Sequence, residues 1–560
     1  MIVGLDMGGT HVDGVIIKDG QVLHKVKKTT DRNNVFGSIW TTLEALVAPY
    51  DASQIKRINL STTVSTNAIV EKKTAPVGMI IQSGPGLVND FSNCGDARQS
   101  ISGSIDHRGV MVEDLQLGEV YKALKLFKKK DITALAVVTK FSIRNPNHEI
   151  QIGQMLQKEF NSITLGHRMS GKLNFPRRVT TSYLNSAVHA TFLNFSENIK
   201  KSLKKEEIKA PVFILKADAG TMDMATAEER PVETILSGPA ASFMGISSLM
   251  PNDEDAILLD IGGTTTDIFF LADGVPLFEP LGATITGYHT LVHAIYSVSI
   301  GLGGDSCITI EDNQVIIGPE RKGPPYAFGG PKPTPTDAML YAGLINSSDK
   351  EVAKKAEEAL GILGKELDLP VEEVAPLILE TMAEMIKTKT DQLLAEIHRK
   401  PVYTIKELLH GKKIKPTSIN IIGGPAKALA PLLERKYQLP CTYPENYDVA
   451  NAIGAALAKP TLEITMLADT SLGILSVTEL GVYEKIPHTY SLEEAKKRAL
   501  ELLEEAYISM GFDTGSIESE ITEESSFNMV DGFSTTGKNI RIKAQIKPGN
   551  ILMRSLHHES

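Results

Sequence analysis

The chain has 560 residues with ordinary apolar (42%) and charged (22%) fractions, and its net charge of −10 gives no reason to expect nucleic acid or an anionic membrane as a partner. Its three cysteines (Cys94, Cys307 and Cys441) form no CxxC pair, which excludes a zinc ribbon and a four-thiolate iron–sulfur cluster built by this chain alone. The sequence has neither a basic, apolar leader nor an apolar run approaching ~20 residues, so we expect a cytoplasmic protein. Its length predicts three or four domains.

The first predicted element is a hairpin with a turn rich in glycine and threonine. In MIVGLDMGGTHVDGVIIKDG, Asp6 ends one apolar run and Asp13 lies in the next. Gly8 and Gly9 let the backbone approach a ligand closely, and Thr10 adds a hydroxyl donor. Carboxylate oxygens suit Mg²⁺. The turn is typical of a site for phosphate and magnesium, although a plain polar turn would explain a single copy equally well.

The next segments predict a helix and then a strand that leads into a second helix. The helix is expected over 34–47 and the strand over 57–60. Thr63, Thr66 and Asn67 follow this strand, where free amides and hydroxyls can bind an anion. An ordinary polar helix cap is the alternative.

Helix and strand alternate through the rest of this half, which favours an α/β sheet. We expect a helix over 113–129, an apolar strand over 132–141 and a long helix over 184–207 that links two lobes. In RPVETILSGPAAS, Gly238 lies at an expected helix start. It could admit a phosphate or simply allow close packing of helices.

A second copy of the opening motif follows, in AILLDIGGTTTDIFFLADG (256–274), at an offset of 254 residues without a gap. The first-copy residues Asp6, Gly8, Gly9, Thr10, Asp13, Asp19 and Gly20 correspond to Asp260, Gly262, Gly263, Thr264, Asp267, Asp273 and Gly274; Thr265 adds a further hydroxyl. A duplication of this kind predicts two similar lobes whose hairpins face one nucleotide across a cleft. Phosphoryl transfer depends mainly on such alignment and charge neutralisation.

Two later motifs leave more than one interpretation open. His289 and His293 have the i, i+4 spacing of a zinc site but lack the adjacent Glu of a HExxH protease, so we expect ordinary helix or lobe residues. In GLGGDS, Gly303 and Gly304 form a glycine-rich turn. Asp305, which follows them, could touch a metal or substrate, or cap the next element.

The region 336–412 has an almost entirely helical pattern, interrupted at Pro370 and Pro401, and predicts a helical subdomain. In the following INIIGGPAKALAPLL, Gly423 and Gly424 separate a strand from a helix. The segment 448–458, DVANAIGAALA, predicts a helix of small residues.

The C-terminal hundred residues predict a helix that begins with a Ser491–Glu494 capping box, followed by strands. The segment 532–539, GFSTTGKN, nearly matches a P-loop. It has Asn539 at the hydroxyl position and a strand afterwards, so we expect a hairpin turn.

Together these motifs resemble the hydantoinase A / 5-oxoprolinase family, within the actin, sugar-kinase and heat-shock ATPase superfamily. The resemblance is carried by LSTTVSTNAIVEKK, RPVETILSGPAAS, DIGGTTTD, GLGGDS and GGPKPTPTDA, in family order. The family usually has His-Gly at Leu60-Ser61 and a third glycine at Asp305. The resemblance implies an α/β fold with two ribonuclease-H-like lobes (1–185 and 186–460), an inserted helical subdomain and a small α+β C-terminal region (461–560).

The resemblance further implies ATP and Mg²⁺ as cofactors and an ATP-dependent amidohydrolase that opens a cyclic amide. It assigns catalysis to Asp6 and Asp260, metal binding to Asp6, Asp260 and Asp267, and adenosine contact to the late glycine pair. The nucleotide-binding residues that it implies are Gly8, Gly9, Thr10, Asp13, Thr63, Thr66, Asn67, Gly238, Gly262, Gly263, Thr264, Thr265, Asp267, Gly303, Gly304, Gly423 and Gly424.

Its partners would be a cyclic-amide substrate and a hydantoinase B-type chain in a homo- or hetero-oligomer. An ATP-dependent ketone carboxylase, a small-molecule kinase and a chaperone-like reactivating ATPase are the alternatives.

Overall fold

The structure is a computed structural model that describes residues 1–31, 34–86, 91–345, 347, 349–399, 413–510, 512, 517–547 and 549. In chain order its strands are β1 (Ile2–Met7), β2 (His11–Lys18), β3 (Gln21–Thr29), β4 (Arg57–Thr62), β5 (Val77–Gln82), β6 (Ala97–Ser100), β7 (Ser104–Ile105), β8 (Met111–Glu113), β9 (Ala134–Thr139), β10 (Ser162–Leu165), β11 (Val212–Leu215), β12 (Thr221–Asp223), β13 (Ala256–Ile261), β14 (Thr266–Ala272), β15 (Val275–Pro276), β16 (Thr284–Ile285), β17 (Tyr288–His289), β18 (Val298–Ile300), β19 (Ile308–Glu311), β20 (Gln314–Ile317), β21 (Ser418–Ile422), β22 (Cys441–Thr442), β23 (Glu463–Asp469), β24 (Ile474–Val477), β25 (Val482–Lys485), β26 (Ser519–Asp531) and β27 (Ser534–Ile546).

The helices are α1 (Val35–Val47), α2 (Val64–Val70), α3 (Leu117–Lys129), α4 (Asn147–Leu156), α5 (Phe175–Lys205), α6 (Met224–Glu229), α7 (Ser237–Leu249), α8 (Pro335–Tyr341), α9 (Lys350–Leu367), α10 (Val371–Arg399), α11 (Ala426–Tyr437), α12 (Ala450–Leu457) and α13 (Leu492–Ser509). Within the described residues, no helix is both long enough and apolar enough to cross a membrane.

The two motif hairpins begin two sheets of the same topology, which confirms the predicted duplication. The first sheet has the order β12-β11-β4-β1-β2-β3, and the second has β15-β14-β13-β21-β22. In each, the motif strands pair antiparallel, and the first of them pairs on its other side with a parallel strand. The distal turns also repeat, because Asp19 and Asp273 both have φ 49° and the glycines that follow them also have positive φ. The chain therefore has the two ribonuclease-H-like lobes that the sequence predicted.

The first sheet takes its last two strands, β11 and β12, from beyond residue 185. A boundary at that residue would place both strands in the second lobe. Residues between β4 and β11 form a separate sheet of parallel strands, ordered β10-β9-β5-β6, whose apolar strands are buried. The domain limits themselves remain a proposal.

Helices α8, α9 and α10 lie between β20 and β21 and share one apolar core with the second sheet. Pro370 precedes α10, as expected of a residue that lacks an amide hydrogen. Pro401 lies outside the described residues. The C-terminal sheet, β25-β24-β23-β27-β26, is antiparallel throughout and packs against α13, which confirms an α+β region.

Two expected helices have different limits. Glu113, the expected start of a helix, is the last residue of strand β8, and helix α3 begins at Leu117. Helix α5 begins at Phe175, nine residues before the expected start at Leu184. Its first turns have polar residues that are buried, so they lack the apolar periodicity by which a helix is recognised.

The predictions for the C-terminal region hold. Ser491 and Glu494 form the capping box at the start of α13. Gly532 lies in the turn between β26 and β27, and a strand follows it, so GFSTTGKN is a hairpin rather than a P-loop.

Helix α12 joins the two halves of the molecule. On one side it packs against α7, and on the other against β1, β2 and β4 of the first sheet. The side chain of Asn59 in β4 donates to the carbonyls of Ala455 and Ala456 at 2.7 and 3.0 Å, which satisfies the end of the helix. The end of α12 is thereby held against β4 of the first sheet.

Candidate active site

Each motif hairpin places two aspartates directly opposite one another. Asp6 in β1 pairs in register with Asp13 in β2, and Asp260 in β13 pairs with Asp267 in β14. Adjacent strands lie about 5 Å apart, so each hairpin brings two carboxylates to the base of its turn.

The two turns are also closed in the same way. The amide of Gly8 donates to the carbonyl of His11 at 2.9 Å, and the amide of Gly262 donates to the carbonyl of Thr265 at 2.9 Å. A Cβ atom added at Gly9 would meet nothing within 4 Å. The tip of the first turn is therefore open, as close approach of a ligand to the backbone requires.

The side chain of Asn451, in the first turn of α12, connects the two hairpins. Its amide donates to Oδ2 of Asp260 at 3.0 Å, and its side chain also lowers the pKa of Asp6, against the larger effect of burial. Ser242 of α7 donates to the same Asp260 oxygen at 2.6 Å, and Ser61 lowers the pKa of Asp6 as Asn451 does. The carboxylates of the two hairpins therefore belong to one site, as the duplication predicted.

The site is acidic, and its carboxylates affect one another. Burial raises the pKa of Asp6 to about 7, and the charges of Asp13 and Asp260 act in the same direction. Burial also raises the pKa of Asp267 to about 7, again assisted by Asp260. The pKa of Asp13 is raised by burial against the effect of Lys27, whose ammonium lies 2.8 Å from Oδ2 of Asp13.

The residues fit an Mg²⁺ ion that is bound in part through water and phosphate. The Oδ1 atoms of Asp6, Asp13 and Asp267 are buried and have no hydrogen-bond partner in the part of the chain that the structure describes. Among the described residues, no three acidic, histidine or cysteine side chains are arranged to hold a metal by themselves. Magnesium commonly binds one or two carboxylates together with waters and the phosphates of a substrate. The assignment of Asp6, Asp260 and Asp267 as metal ligands stays a prediction.

The GLGGDS turn packs on the tip of the second hairpin. The amide of Gly304 donates to the carbonyl of Gly262 at 3.0 Å, and the amide of Asp305 donates to that of Gly263 at 2.7 Å. A Cβ added at Gly303 would lie 2.6 Å from the backbone of Gly263. Gly303 and Gly304 thus support the second hairpin, while direct phosphate contact by either stays a prediction.

Gly423 closes the same site from the side of β21. Its φ is +93°, and an added Cβ would lie 2.2 Å from the carbonyl oxygen of Ile261 and 2.7 Å from Oδ1 of Asp260. At Gly424, by contrast, no atom lies within 4 Å of an added Cβ. The pair therefore combines a close backbone contact with open space, and its contact with adenosine remains a prediction.

The predicted donors after β4 mostly bind other protein groups. Thr66 accepts from the amide of Leu236 at 3.1 Å, and Asn67 donates to Thr63 at 3.1 Å. An added Cβ at Gly238 would meet only Thr63, at 4.0 Å. These contacts join the β4–α2 turn to the start of α7, so hydrogen bonds within the protein fix the position of this segment.

The zinc interpretation of the two histidines rested on a helix that is absent. His289 lies in strand β17 and bonds Thr284 at 3.0 Å, whereas His293 stacks on Phe278. The expectation of ordinary lobe residues is met. Because this segment is not helical, the i, i+4 spacing does not place the two side chains on one face of a helix.

Three polar residues of the site were not predicted. Asn451 and Ser242 lie within motifs recognised for their small residues, and Arg321 lies in an irregular segment. Asp305 accepts from Arg321 at 3.0 Å and from Thr336, in the first turn of α8, at 3.2 Å. A lone polar residue in the first turn of an alanine-rich helix was the signal for Asn451; the sequence around Arg321 carries none.

The raised pKa values predict how the stability of the nucleotide-free chain depends on pH. Asp6 and Asp267 ionise near pH 7 when folded but near 3.8 when unfolded. The unfolded chain therefore binds fewer protons in this window, and the free energy of unfolding falls as pH rises from about 4 to 7, by up to about 1.4 kcal/mol per unit for each group.

Asp6→Asn isolates this contribution. We expect it to raise the thermal unfolding midpoint at pH 8 and to change it little below pH 4, with the exposed Asp253→Asn as the control at each pH. Equal shifts at both pH values would show that Asp6 does not ionise with a raised pKa.

A family described as Hydantoinase/oxoprolinase matches residues 178–464, just over half of the chain, and its N-terminal region matches residues 2–160. The chain belongs to the hydantoinase/oxoprolinase family. The resemblance seen in the motifs is thereby confirmed at family level.

Curated relatives are 22–25% identical to this chain over the parts that align. An uncharacterized protein of Methanocaldococcus jannaschii is 25% identical over 69% of this chain and 64% of its own length. Caprolactamase subunit alpha of Pseudomonas jessenii is 25% identical over 61% of this chain and 54% of its own length. Acetophenone carboxylase gamma subunit of Aromatoleum aromaticum is 22% identical over 64% and 57%. This chain thus spans between about half and two thirds of the length of these relatives.

Two solved structures share its fold. A nucleotide-free acetone carboxylase and the ATP-dependent caprolactamase of Pseudomonas jessenii each superpose with a TM-score of 0.70, covering 97% of this chain and 87% of theirs, at 14% and 18% identity. The fold class expected from the sequence is confirmed.

Proposed function

We propose that this chain is the ATP-consuming component of an amidohydrolase that opens a cyclic amide. The observation that carries the proposal is that the two hairpins place Asp6 and Asp260 at the same register position. Asn451 donates to Asp260, and both Asn451 and Asp260 act on the pKa of Asp6. A site of this kind can align a triphosphate between two lobes, and alignment with charge neutralisation is most of what phosphoryl transfer needs.

Activation by ATP answers the chemical difficulty of the reaction. An amide carbonyl is a weak electrophile, and its nitrogen is a poor leaving group. In the proposed reaction the amide oxygen attacks the terminal phosphorus of ATP, and ADP leaves. A first water then adds to the activated carbon and the ring C–N bond breaks, with the nitrogen taking a proton, which leaves an acyl phosphate. A second water hydrolyses the acyl phosphate to the carboxylate and inorganic phosphate.

The residues of the site take complementary roles in this proposal. Asp6 and Asp260 would hold Mg²⁺ and position water, with Asp267 as a further ligand and Asp13 as support. Magnesium would supply charge neutralisation at the phosphate oxygens. Glycine amides and threonine hydroxyls of both turns would hold phosphates, and Gly423 with Gly424 would lie against adenosine.

A partner chain is part of the proposal. Two relatives bear the names of subunits, alpha and gamma, and this chain spans only part of their length. We therefore propose a hydantoinase B-type chain as partner in a cytoplasmic hetero-oligomer.

The direct test measures ADP release by the purified chain with hydantoin, 5-oxoproline and caprolactam, with and without a hydantoinase B-type protein. We expect at least one amide to raise ADP release and to yield the ring-opened acid in equal amount. ADP release without any ring-opened product, across all three amides and with the partner present, would count against the proposal.

A ketone carboxylase is the second candidate, because one relative is the acetophenone carboxylase gamma subunit. ADP release that requires both a ketone and bicarbonate would favour it. A phosphorylated end product detected by mass spectrometry would instead favour a small-molecule kinase, and stimulation by a partner enzyme alone would favour a reactivating ATPase.

A further inference from the structure

Arg321 is a cation that lies beside Asp305 at the second hairpin and that the sequence motifs do not include. It follows the GLGGDS turn by fifteen residues and is largely buried, with 20% of its side chain exposed. Its Nη2 atom donates to Oδ2 of Asp305 at 3.0 Å. Its Nε atom is buried and, among the residues that the structure describes, has no hydrogen-bond partner.

The position of Asp305 fixes this guanidinium beside the second hairpin. The amide of Asp305 donates to the carbonyl of Gly263 at 2.7 Å, and an added Cβ at Gly263 would lie 2.9 Å from the Asp305 carboxylate. Thr336 holds the other carboxylate oxygen at 3.2 Å. The carboxylate that binds Arg321 is therefore itself anchored at the tip of the second hairpin.

The first hairpin lies within the electrostatic reach of the same guanidinium. Burial lowers the pKa of His11, which follows Thr10 at the first tip, and the charges of Lys27 and Arg321 lower it further. Lys27 is already bound to Asp13 at 2.8 Å. Arg321 therefore lies next to the tip of the second hairpin and close enough to the first to act on the pKa of His11.

We propose that Arg321 binds the terminal phosphate of ATP and that Asp305 is the positioning residue that holds it there. This inference rests on the proposed use of ATP at the site. A triphosphate brought among the carboxylates of Asp6, Asp13, Asp260 and Asp267 needs positive charge beyond a single Mg²⁺ ion. The guanidinium of Arg321 suits a phosphate oxygen, because Arg presents several donors in a fixed geometry and part of this side chain is exposed beside the second hairpin.

The test compares two nucleotides that differ by the phosphate in question. Calorimetric titration with Mg²⁺–AMPPNP and Mg²⁺–ADP is made on the wild type and on Arg321→Met. We expect Arg321→Met to weaken AMPPNP binding about 10- to 100-fold and ADP binding by less than about twofold. Arg321→Lys should restore part of the difference. The matched control is Lys322→Met, which removes a half-exposed charge at the next residue.

The role of Asp305 is tested by a double-mutant cycle on the same ratio of affinities. Asp305→Gly should reduce the preference for AMPPNP about 3- to 10-fold in the wild type, and should have no further effect in Arg321→Met. Additive effects would overturn the positioning role. Equal losses of AMPPNP and ADP affinity in Arg321→Met, or no loss of either, would overturn the phosphate contact. A wild type that binds neither nucleotide would instead contradict the proposed function.

Discussion

Asp260→Asn is expected to reduce ATP turnover by about 100- to 1,000-fold while the fold is retained. The carboxylate of Asp260 lies at the centre of the site, since it accepts from Ser242 and Asn451 and its charge acts on Asp6. The amide oxygen of asparagine can accept from the same two donors, but it carries no charge with which to bind Mg²⁺. Steady-state ADP release and a far-ultraviolet circular dichroism spectrum measure the two effects.

The repeat supplies a comparison for this prediction. Asp6→Asn should cause a loss of similar size, because Asp6 occupies the same position in the first hairpin. Asp253→Asn, an exposed substitution just before β13, should leave turnover unchanged. If Asp260→Asn retained more than about a tenth of wild-type turnover, the paired carboxylates would not be the catalytic centre.

The parts of the fold that the sequence predicted are those that local rules determine. Each hairpin contains its own aspartates, glycines and flanking apolar strands, so a comparison of two short segments was enough to predict two similar lobes. The capping box at Ser491 and the turn at Gly532 are local in the same sense.

The parts that were not predicted depend on contacts between distant segments. The first turns of α5 are polar because buried Arg178 donates to the carbonyl of Thr139 at 3.2 Å and buried Thr181 accepts from the amide of Leu291 at 2.9 Å. Asn451 and Arg321 reach the site only through the packing of α12 and of the loop after β20. No periodicity in the sequence reports such contacts.

The same packing explains why small residues recur in α7 and α12. A Cβ atom added at Gly454 of α12 would lie 2.3 Å from the carbonyl oxygen of Ala241 and 2.3 Å from the amide of Gly245. At Gly4 of β1, on the opposite side of α12, an added Cβ would lie 2.2 Å from the carbonyl of Ala452. The helix is thus held between two backbones at distances that only glycine permits.

Gly454→Ala is therefore expected to destabilise the chain by about 3 kcal/mol, because backbone atoms of α7 or α12 must move apart. It should also reduce ATP turnover about 10- to 100-fold, since Asn451 on the same helix would shift relative to Asp260. Thermal unfolding and ADP release measure the two effects.

Gly361→Ala in α9 is the matched control, because its added Cβ would have only a methyl of Val371 nearby among the described residues, at 4.0 Å. That control should stabilise the chain by up to about 1 kcal/mol through helix propensity alone and leave turnover unchanged. A Gly454→Ala chain as stable and as active as the wild type would mean that α12 does not hold the two hairpins together.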